Sequence, residues 1–325
     1  MKPKVLHLLD DKNVGGIKSS LQSLVRSRLA EQFDFEIQSV QEARLQNAEA
    51  RADIVVLHNP RSWTSLPDLL RIKYLVKKLL IQDHHYCQGF EGQVASIPRF
   101  HLMLKSAAKL ADRIIAVSRA QGQWMLDNRL VSNAKLQVIQ QCTVTEPFLA
   151  VPLKAATRPL TLAAYGRFAP QKGFDILLEA MRLIPDANVR LLIAGYGPDE
   201  ARLKQLAEGL EVVFCGCIDS VPAFLEHCDV VIIPSRWEPW GNVCLEARAA
   251  GKPVVVSDVD GLSEQAGDCG VLVPPEDPQQ LARVIASLEE HDLERWGKTG
   301  RASVQGSWDR CLSAWELLLW EEILT

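Results

Sequence analysis

Apolar positions along the chain fall into two kinds of run. Short stretches rich in Val, Ile and Leu (KVLHLL, DIVVLHN, KLLIQDH and RIIAVS) show little polar alternation, and between them lie longer segments, 16–30, 63–78 and 99–110, with helical length and periodicity. The short runs predict strands covered on both faces, so the first half reads as a βα series around a parallel sheet. A Pro-containing stretch at 151–159 interrupts the pattern, which restarts with TLAAYG, VRLLIAG, EVVFCG, DVVIIP, KPVVVSD and GVLVP. The prediction is two doubly wound α/β domains: residues 1–155, with a last helix at 308–325 returning to them, and residues 156–307. Ligands of such sheets bind beyond the carboxyl ends of the strands, which puts the expected site in a cleft between the domains.

Composition narrows the class. At 325 residues, 47% hydrophobic and 23% charged, the chain is long enough for two cores. No segment approaches eighteen uncharged apolar residues and the first apolar run soon meets two aspartates, so neither a membrane span nor a signal peptide is expected, and a cytoplasmic location is. The eight cysteines form no CxxC pair and read as reduced core residues. Net charge is only −4, but residues 1–155 hold 21 Lys and Arg against 14 Asp and Glu, and the remainder holds 15 against 26. A basic first half suits an anionic surface such as a phosphate-bearing lipid, although uneven solvated faces would give the same count. Without an aromatic-rich basic stripe, nucleic acid is not expected as a partner.

The candidate chemistry sits at strand ends. Gly15 and Gly16 follow the first strand and open a helix, where free amides can receive an anion. The spacing is not GxGxxG, and no acidic residue closes FDFEIQSV, so a nicotinamide or flavin site is disfavoured. In TLAAYGRFAPQKGFDILLEA, Arg167 follows the strand directly and Lys172 stands five residues on, two cations suited to a diphosphate; no P-loop is present. In PSRWEPWGNVCLEA, Glu238 falls in a strand-end loop and Glu246 in the helix beginning near Gly241, so both can face one site. Gly241, Asn242 and Val243 would offer helix-start amides to a phosphate, and a carboxylate one turn further on can accept from ribose hydroxyls.

The ordered set GG (15–16), GRFAPQKG (166–173), AGYGP (194–198), VFCGCIDSVP (213–222) and PSRWEPWGNVCLEARAAGKPVV (234–255) resembles the retaining GT-B glycosyltransferases of family 4, including their glutamate, seven residues, glutamate signature. The resemblance implies that Arg167 and Lys172 bind the donor pyrophosphate, that Gly16, Asn242 and Val243 contribute amides, and that Glu246 holds the ribose. It implies that Glu238 contacts the transferred sugar and that the loop of Gly216, Cys217 and Ile218 meets the base. Relatives often carry a histidine close to the sugar at a strand end; LLIQDHHYC offers His84 for that place, with Gln82 and Asp83 as alternatives by register. His58, in VVLHNP, is a candidate on the acceptor side or an ordinary strand-end histidine. Asp258-Val259-Asp260 has a metal-binding spacing but lies where the family uses the chain structurally, so it reads as a loop.

The resemblance therefore implies a retaining, metal-independent hexosyltransferase with no cofactor. Its co-substrate is a UDP- or GDP-linked sugar and its acceptor a glycan or lipid-linked hydroxyl, as in lipopolysaccharide or other cell-surface polysaccharide synthesis. The leaving phosphate would itself take the acceptor proton, so no opposed carboxylate pair of the kind used in glycoside hydrolysis is needed. The alternatives are a GT-B UDP-sugar epimerase and a non-catalytic nucleotide-sugar-binding partner subunit. Finally, RIKYLVKKLL (71–80) reads as helix-like, and its cations Arg71, Lys73, Lys77 and Lys78, with Arg99, Lys105 and Lys109 on the next helix, suit peripheral contact with an anionic inner membrane face.

Overall fold

Each run of β-branched and Leu residues becomes a strand in the computed structural model, which describes residues 2–10, 16–185 and 188–325. The first sheet holds β1 (Lys4–Leu8), β2 (Asp34–Gln38), β3 (Ile54–Leu57), β4 (Lys78–Asp83), β5 (Arg113–Ala116) and β6 (Leu136–Val138), all parallel, in the order β2-β1-β3-β4-β5-β6. The second holds β7 (Leu160–Tyr165), β8 (Val189–Ala194), β9 (Val212–Gly216), β10 (Val230–Ile233), β11 (Val254–Ser257) and β12 (Gly270–Val273), again parallel, in the order β12-β11-β10-β7-β8-β9. Strands β3, β7 and β10 are buried at every position, as expected of strands with helices on both faces. The fold is α/β with two doubly wound units.

In each unit the chain order reverses once. It steps from β1 out to β2 and then returns to place β3 on the other side of β1; likewise β10 returns to the far side of β7. Because parallel crossovers share one hand, the connections after β7 and β10 lie on opposite faces, and a crevice opens between the two strand ends.

The units divide between Val144 and Thr145, and again before Ser307: residues 1–144 with 307–325 form one, and 145–306 the other. The stretch expected to link them belongs to the second unit. Arg301 donates to the Val151 carbonyl at 2.6 Å, and a Cβ at Gly251 would meet Leu153, so residues 151–153 are bound into that core. The last helix, Ser307–Leu324, joins the first unit through Arg113 to Glu322 at 2.6 Å and Trp320 to Gln32 at 2.9 Å.

Two element boundaries and one strand differ from the pattern. The helix expected over 16–30 runs Gly16–Val25 and is followed by a 3-10 turn, Arg28–Glu31, capped by Ser27. The helix-like reading of 71–80 is corrected: the helix is Leu66–Leu75, Val76 is extended, and Lys78 already opens β4. Burial of Leu79, Leu80 and Ile81 between β3 and β5 overrides a helical periodicity that happens to continue into the strand. The expected strand list also omits β6, a three-residue, half-buried edge strand too short to show a pattern.

Candidate functional site

The loops that leave β7 and β10 are tied to each other. After β7 the chain passes Gly166 and Arg167 into a 3-10 turn, Pro170–Lys172, closed by Gly173 at φ 64°. A Cβ at Gly173 would sit 2.0 Å from the Pro234 carbonyl oxygen, so the contact requires glycine. Arg236 straps the pair: its backbone N–H donates to the Gln171 carbonyl at 2.8 Å, and its guanidinium donates to the Pro170 carbonyl at 2.6 Å and to both Asp175 oxygens at 3.0 Å. Burial pushes the Asp175 carboxyl up, but the hydrogen bonds from Arg236 and the nearby charge of Arg202 outweigh it and hold the group below its ordinary range.

This strapping sets Lys172 against Glu238. The ammonium pairs with Glu238 Oε2, and Glu238 is only 8% exposed. Around it, the Glu238 N–H donates to Asp260 Oδ2 at 3.1 Å, its carbonyl accepts from the Gly261 N–H at 3.1 Å, and the Ser235 hydroxyl lies 3.5 Å from the same carboxylate oxygen. Asp258, two residues before Asp260, accepts from the Ser263 hydroxyl at 2.6 Å. Both aspartates of that DxD spacing are thus engaged in holding loops.

The helix Asn242–Ala249 begins at Gly241, whose φ is 95° and whose missing Cβ would lie 2.6 Å from Leu262 Cδ2 and 3.1 Å from Glu238 Cγ. The buried Gln265 amide donates to the Trp240 carbonyl at 2.6 Å and fixes that turn. One turn into the helix, Glu246 accepts from the Tyr165 hydroxyl at 2.9 Å. Glu246 keeps part of its surface open, yet its carboxyl is set deep among protein atoms. Burial pushes it up to about 7, against the Tyr165 hydrogen bond and the Lys172 charge, which both act downward. Burial also raises the Tyr165 phenol well above its usual value, and the Glu246 charge adds to it. Lys172 therefore acts on both glutamates. Arg167 projects from the same loop, exposed and without a hydrogen-bond or ion-pair partner among the described residues.

In the first unit the notable group is a line of rings. His7 Nδ1 lies 2.9 Å from His58 Nε2, His58 Nδ1 lies 3.0 Å from His84 Nε2, and His84 Nδ1 lies 2.7 Å from Gln141 Oε1. His84 thus has both ring nitrogens engaged. Burial drives His7 down to about 3, His84 to about 4 and His58 well below its ordinary value, so all three are neutral near pH 7. Beside them, Asp83 is buried in an ion pair with Arg61, and its Oδ1 accepts from the His85 and Tyr86 N–H groups at 3.1 and 3.2 Å.

The predicted residues divide accordingly. Arg167, Lys172, Glu238, Asn242, Val243 and Glu246 gather at the β7 and β10 strand ends of the second unit, whereas His84 and Gly16 belong to the first. Gly16 opens the helix Gly16–Val25, and Gly15 lies outside the described residues. Gly216 ends the edge strand β9, with Cys217 and Ile218 in the loop beyond, and β7 and β8 separate that strand from β10. Tyr165, Asp175, Arg236 and Gln265 escape the sequence reading. Tyr165 was visible as the last residue of a strand already in view; the other three declare themselves only through contacts across distant segments.

Two surface expectations change. Cys215, on the edge strand β9, and Cys217, in the loop beyond it, are exposed, while the other six cysteines are buried. The cations of 71–80 are committed within the first unit: Arg71 to Glu49, Lys73 to Asp112, Lys77 to Asp53 and Lys78 to Glu322. On the helix Ile97–Leu110, by contrast, Arg99, Lys105 and Lys109 have no ion pair among the described residues and flank Leu102, which is 57% exposed. Among the described residues no helix is long and apolar enough to cross a membrane, and no group of three or more His, Cys, Asp or Glu is arranged to hold a metal ion.

Comparison with known proteins converges on one family. The family described as Glycosyl transferases group 1 matches residues 159–291. The chain is 30% identical over 271 residues to an uncharacterized 41.2 kDa protein in the cps region of Klebsiella pneumoniae, covering 77% of this chain and 72% of that one. It is 32% identical over 187 residues to the lipopolysaccharide core biosynthesis glycosyltransferase LpsE of Rhizobium meliloti, covering 54% of each. With other curated relatives it spans less, 35% of one and 44% of another. Among solved structures, Anabaena HepE in complex with UDP and glucose superposes with a TM-score of 0.77 over 97% of this chain and 99% of that one, at 19% identity.

Proposed function

Because the chain belongs to the group 1 glycosyl transferases, we propose that it moves a sugar from a UDP- or GDP-linked donor to a hydroxyl of a glycan or lipid-linked acceptor. The architecture of two doubly wound units is GT-B, as the solved relatives have it. One observation carries the proposal: at the β7/β10 switch point Lys172 pairs with Glu238 and its charge also acts on Glu246, with Arg167, unpaired among the described residues, on the same loop and a helix start at Gly241.

In this reading Lys172 and Arg167 neutralise the donor diphosphate, and the Asn242 and Val243 amides share its charge. A diphosphate is a stronger partner for Lys172 than one carboxylate, so donor binding draws the ammonium away from Glu238 and turns that carboxylate toward the sugar. Glu246, ionised, accepts from the ribose hydroxyls. The bond from the anomeric carbon to the diphosphate breaks as the acceptor oxygen bonds to the same face, and a leaving phosphate oxygen takes the acceptor proton, with retention and without a metal. The charge on the leaving group is met by Arg167, Lys172 and the helix-start amides. His84 faces the sugar from the first unit, Gly16 contributes an amide, and the Gly216, Cys217 and Ile218 loop takes the base.

The relative in lipopolysaccharide core biosynthesis supports a cell-surface polysaccharide or lipopolysaccharide acceptor for this chain as well. Such an acceptor is membrane-borne, and the face formed by the exposed Arg99, Leu102 and Lys109 with the half-buried Lys105 suits a peripheral contact with anionic lipid at a cytoplasmic membrane surface. The test is a thermal-shift screen of UDP, GDP and ADP followed by hydrolysis of UDP-glucose and GDP-mannose with and without EDTA. Stabilisation by one nucleotide and metal-free donor cleavage are expected. No stabilisation by any of the three nucleotides overturns the donor site.

A further inference from the structure

The line from His7 to Gln141 runs across the strand ends of the first sheet. His7 is in β1, His58 follows β3, His84 follows β4 and Gln141 lies just past β6. Its polarity is set at its two ends. Gln141 presents its oxygen, so His84 Nδ1 carries the hydrogen, and a neutral His84 then has a bare Nε2 that accepts from His58 Nδ1–H. The same step gives His7 Nδ1–H donating to His58 Nε2.

What remains is His7 Nε2, buried and without a hydrogen-bond partner among the described residues, with the Phe35 and Trp315 rings beside the imidazole. The opposite polarity would leave an N–H at that spot, and an orphaned buried N–H is rarer than an orphaned lone pair. Among the described residues no group beyond His7 is placed to take or supply a proton, so the line is read as a fixed relay of hydrogen bonds and not as a proton path.

We infer that His7 and His58 are positioning residues that hold His84 in one neutral tautomer, with Nδ1–H toward Gln141 and Nε2 filled by His58. Its bearing on turnover rests on the reading that His84 faces the donor sugar. There a neutral ring matters, because positive charge develops on the sugar as the bond to the leaving diphosphate breaks, and an imidazolium would oppose it. The charged neighbours are few. Asp83 is neutralised by Arg61, and His85 is bonded to the His58 carbonyl at 3.2 Å. Cys142 and Cys311 line the small cavity beside His84, and burial pushes the Cys311 thiol up to about 12, so it stays neutral.

Long-range proton–nitrogen correlation spectra of the full chain, labelled with 15N at histidine, test this between pH 5.5 and 8.5. His7, His58 and His84 are each expected to show a neutral ring protonated at Nδ1 throughout. An Nε2–H tautomer at any of the three, or an imidazolium at pH 6.5, overturns the inference, and this readout does not depend on catalysis. His7→Phe removes the hydrogen that fills His58 Nε2, so His84 should titrate or populate both tautomers, whereas His7→Gln, whose amide can donate, should restore the native pattern. Native His84 spectra in His7→Phe count against positioning; if that variant does not fold, the native chain's spectra decide alone. In hydrolysis of UDP-glucose and GDP-mannose, His7→Phe should lose about tenfold per pH unit on an acid limb absent from the native and His7→Gln proteins. Identical profiles in all three sever the relay from turnover. No hydrolysis of either donor by the native chain counts against the proposed function instead.

Discussion

The Tyr165 hydroxyl donates to Glu246 Oε2 at 2.9 Å across the floor of the second unit's strand ends, and burial pushes that carboxyl up to about 7 despite the hydrogen bond. If ribose hydroxyls donate to this group, the ionised form must bind nucleotide. Affinity for the preferred nucleoside diphosphate should therefore rise between pH 6 and 8, and Glu246→Gln should weaken binding and remove the pH dependence. Calorimetric titration at three pH values checks both.

The same group carries a stability cost of known sign. Its folded pKa lies above the unfolded carboxyl value, so its contribution is present at low pH and lost as pH rises through about 7. At pH 8, Glu246→Gln should be more stable than the native protein, by about 1–2 kcal/mol after allowance for its partial exposure. Denaturant unfolding measures the difference; a destabilised variant contradicts the assignment.

Lys172 and Glu238 should part company in kinetics. Lys172→Ala removes a charge-assisted contact and should weaken nucleotide binding by about 1.5–3 kcal/mol. Glu238→Gln should keep or strengthen nucleotide affinity, because it frees Lys172 from its ion pair, while losing turnover, because the Glu238 contact is with the sugar. Since removing the lysine leaves a buried carboxylate unpaired, adding Glu238→Gln to Lys172→Ala should recover part of the lost stability.

Gly173 tests the loop contact. At φ 64°, with Pro234 oxygen 2.0 Å from any added Cβ, Gly173→Ala should destabilise the second unit by about 2–4 kcal/mol and displace Lys172. A native-like melting temperature would show that the two loops need not touch.

The histidine line makes the first unit acid-sensitive. All three rings are held below their ordinary values, so the unfolded chain binds more protons, and stability present above about pH 6.5 is lost as pH falls. Each ring contributes a slope of about 1.4 kcal/mol per pH unit over that window. Urea unfolding at pH 6.5, 6 and 5.5 should approach a three-proton dependence.

The membrane proposal now discriminates between cations. Arg99, Lys105 and Lys109 changed to Ala should abolish co-sedimentation with anionic vesicles, each cation being worth about 1 kcal/mol. Lys77→Ala should leave it intact, because that lysine is already paired with Asp53. Equal binding to neutral and anionic vesicles would favour a soluble acceptor.

Local rules determined much of this protein. Runs such as DIVVLHN and DVVIIP had no other use than buried parallel strands, and each strand end delivered its own motif, so the fold class and the second-unit candidates were legible in one dimension. Glu238 and Glu246 could be read together because one short turn joins them. What the chain's order concealed was every relation between segments far apart. Lys172 meets Glu238 across 66 positions, Tyr165 meets Glu246 across 81, and His7 reaches Gln141 only through two intervening rings from other strands. The helical reading of 71–80 failed for the same reason: burial of Leu79–Ile81 between neighbouring strands outweighed a local periodicity. Propensity and pattern act over a few residues, but ion pairing, tautomer choice and burial are decided by neighbours in space, and those exist only once the sheets have formed.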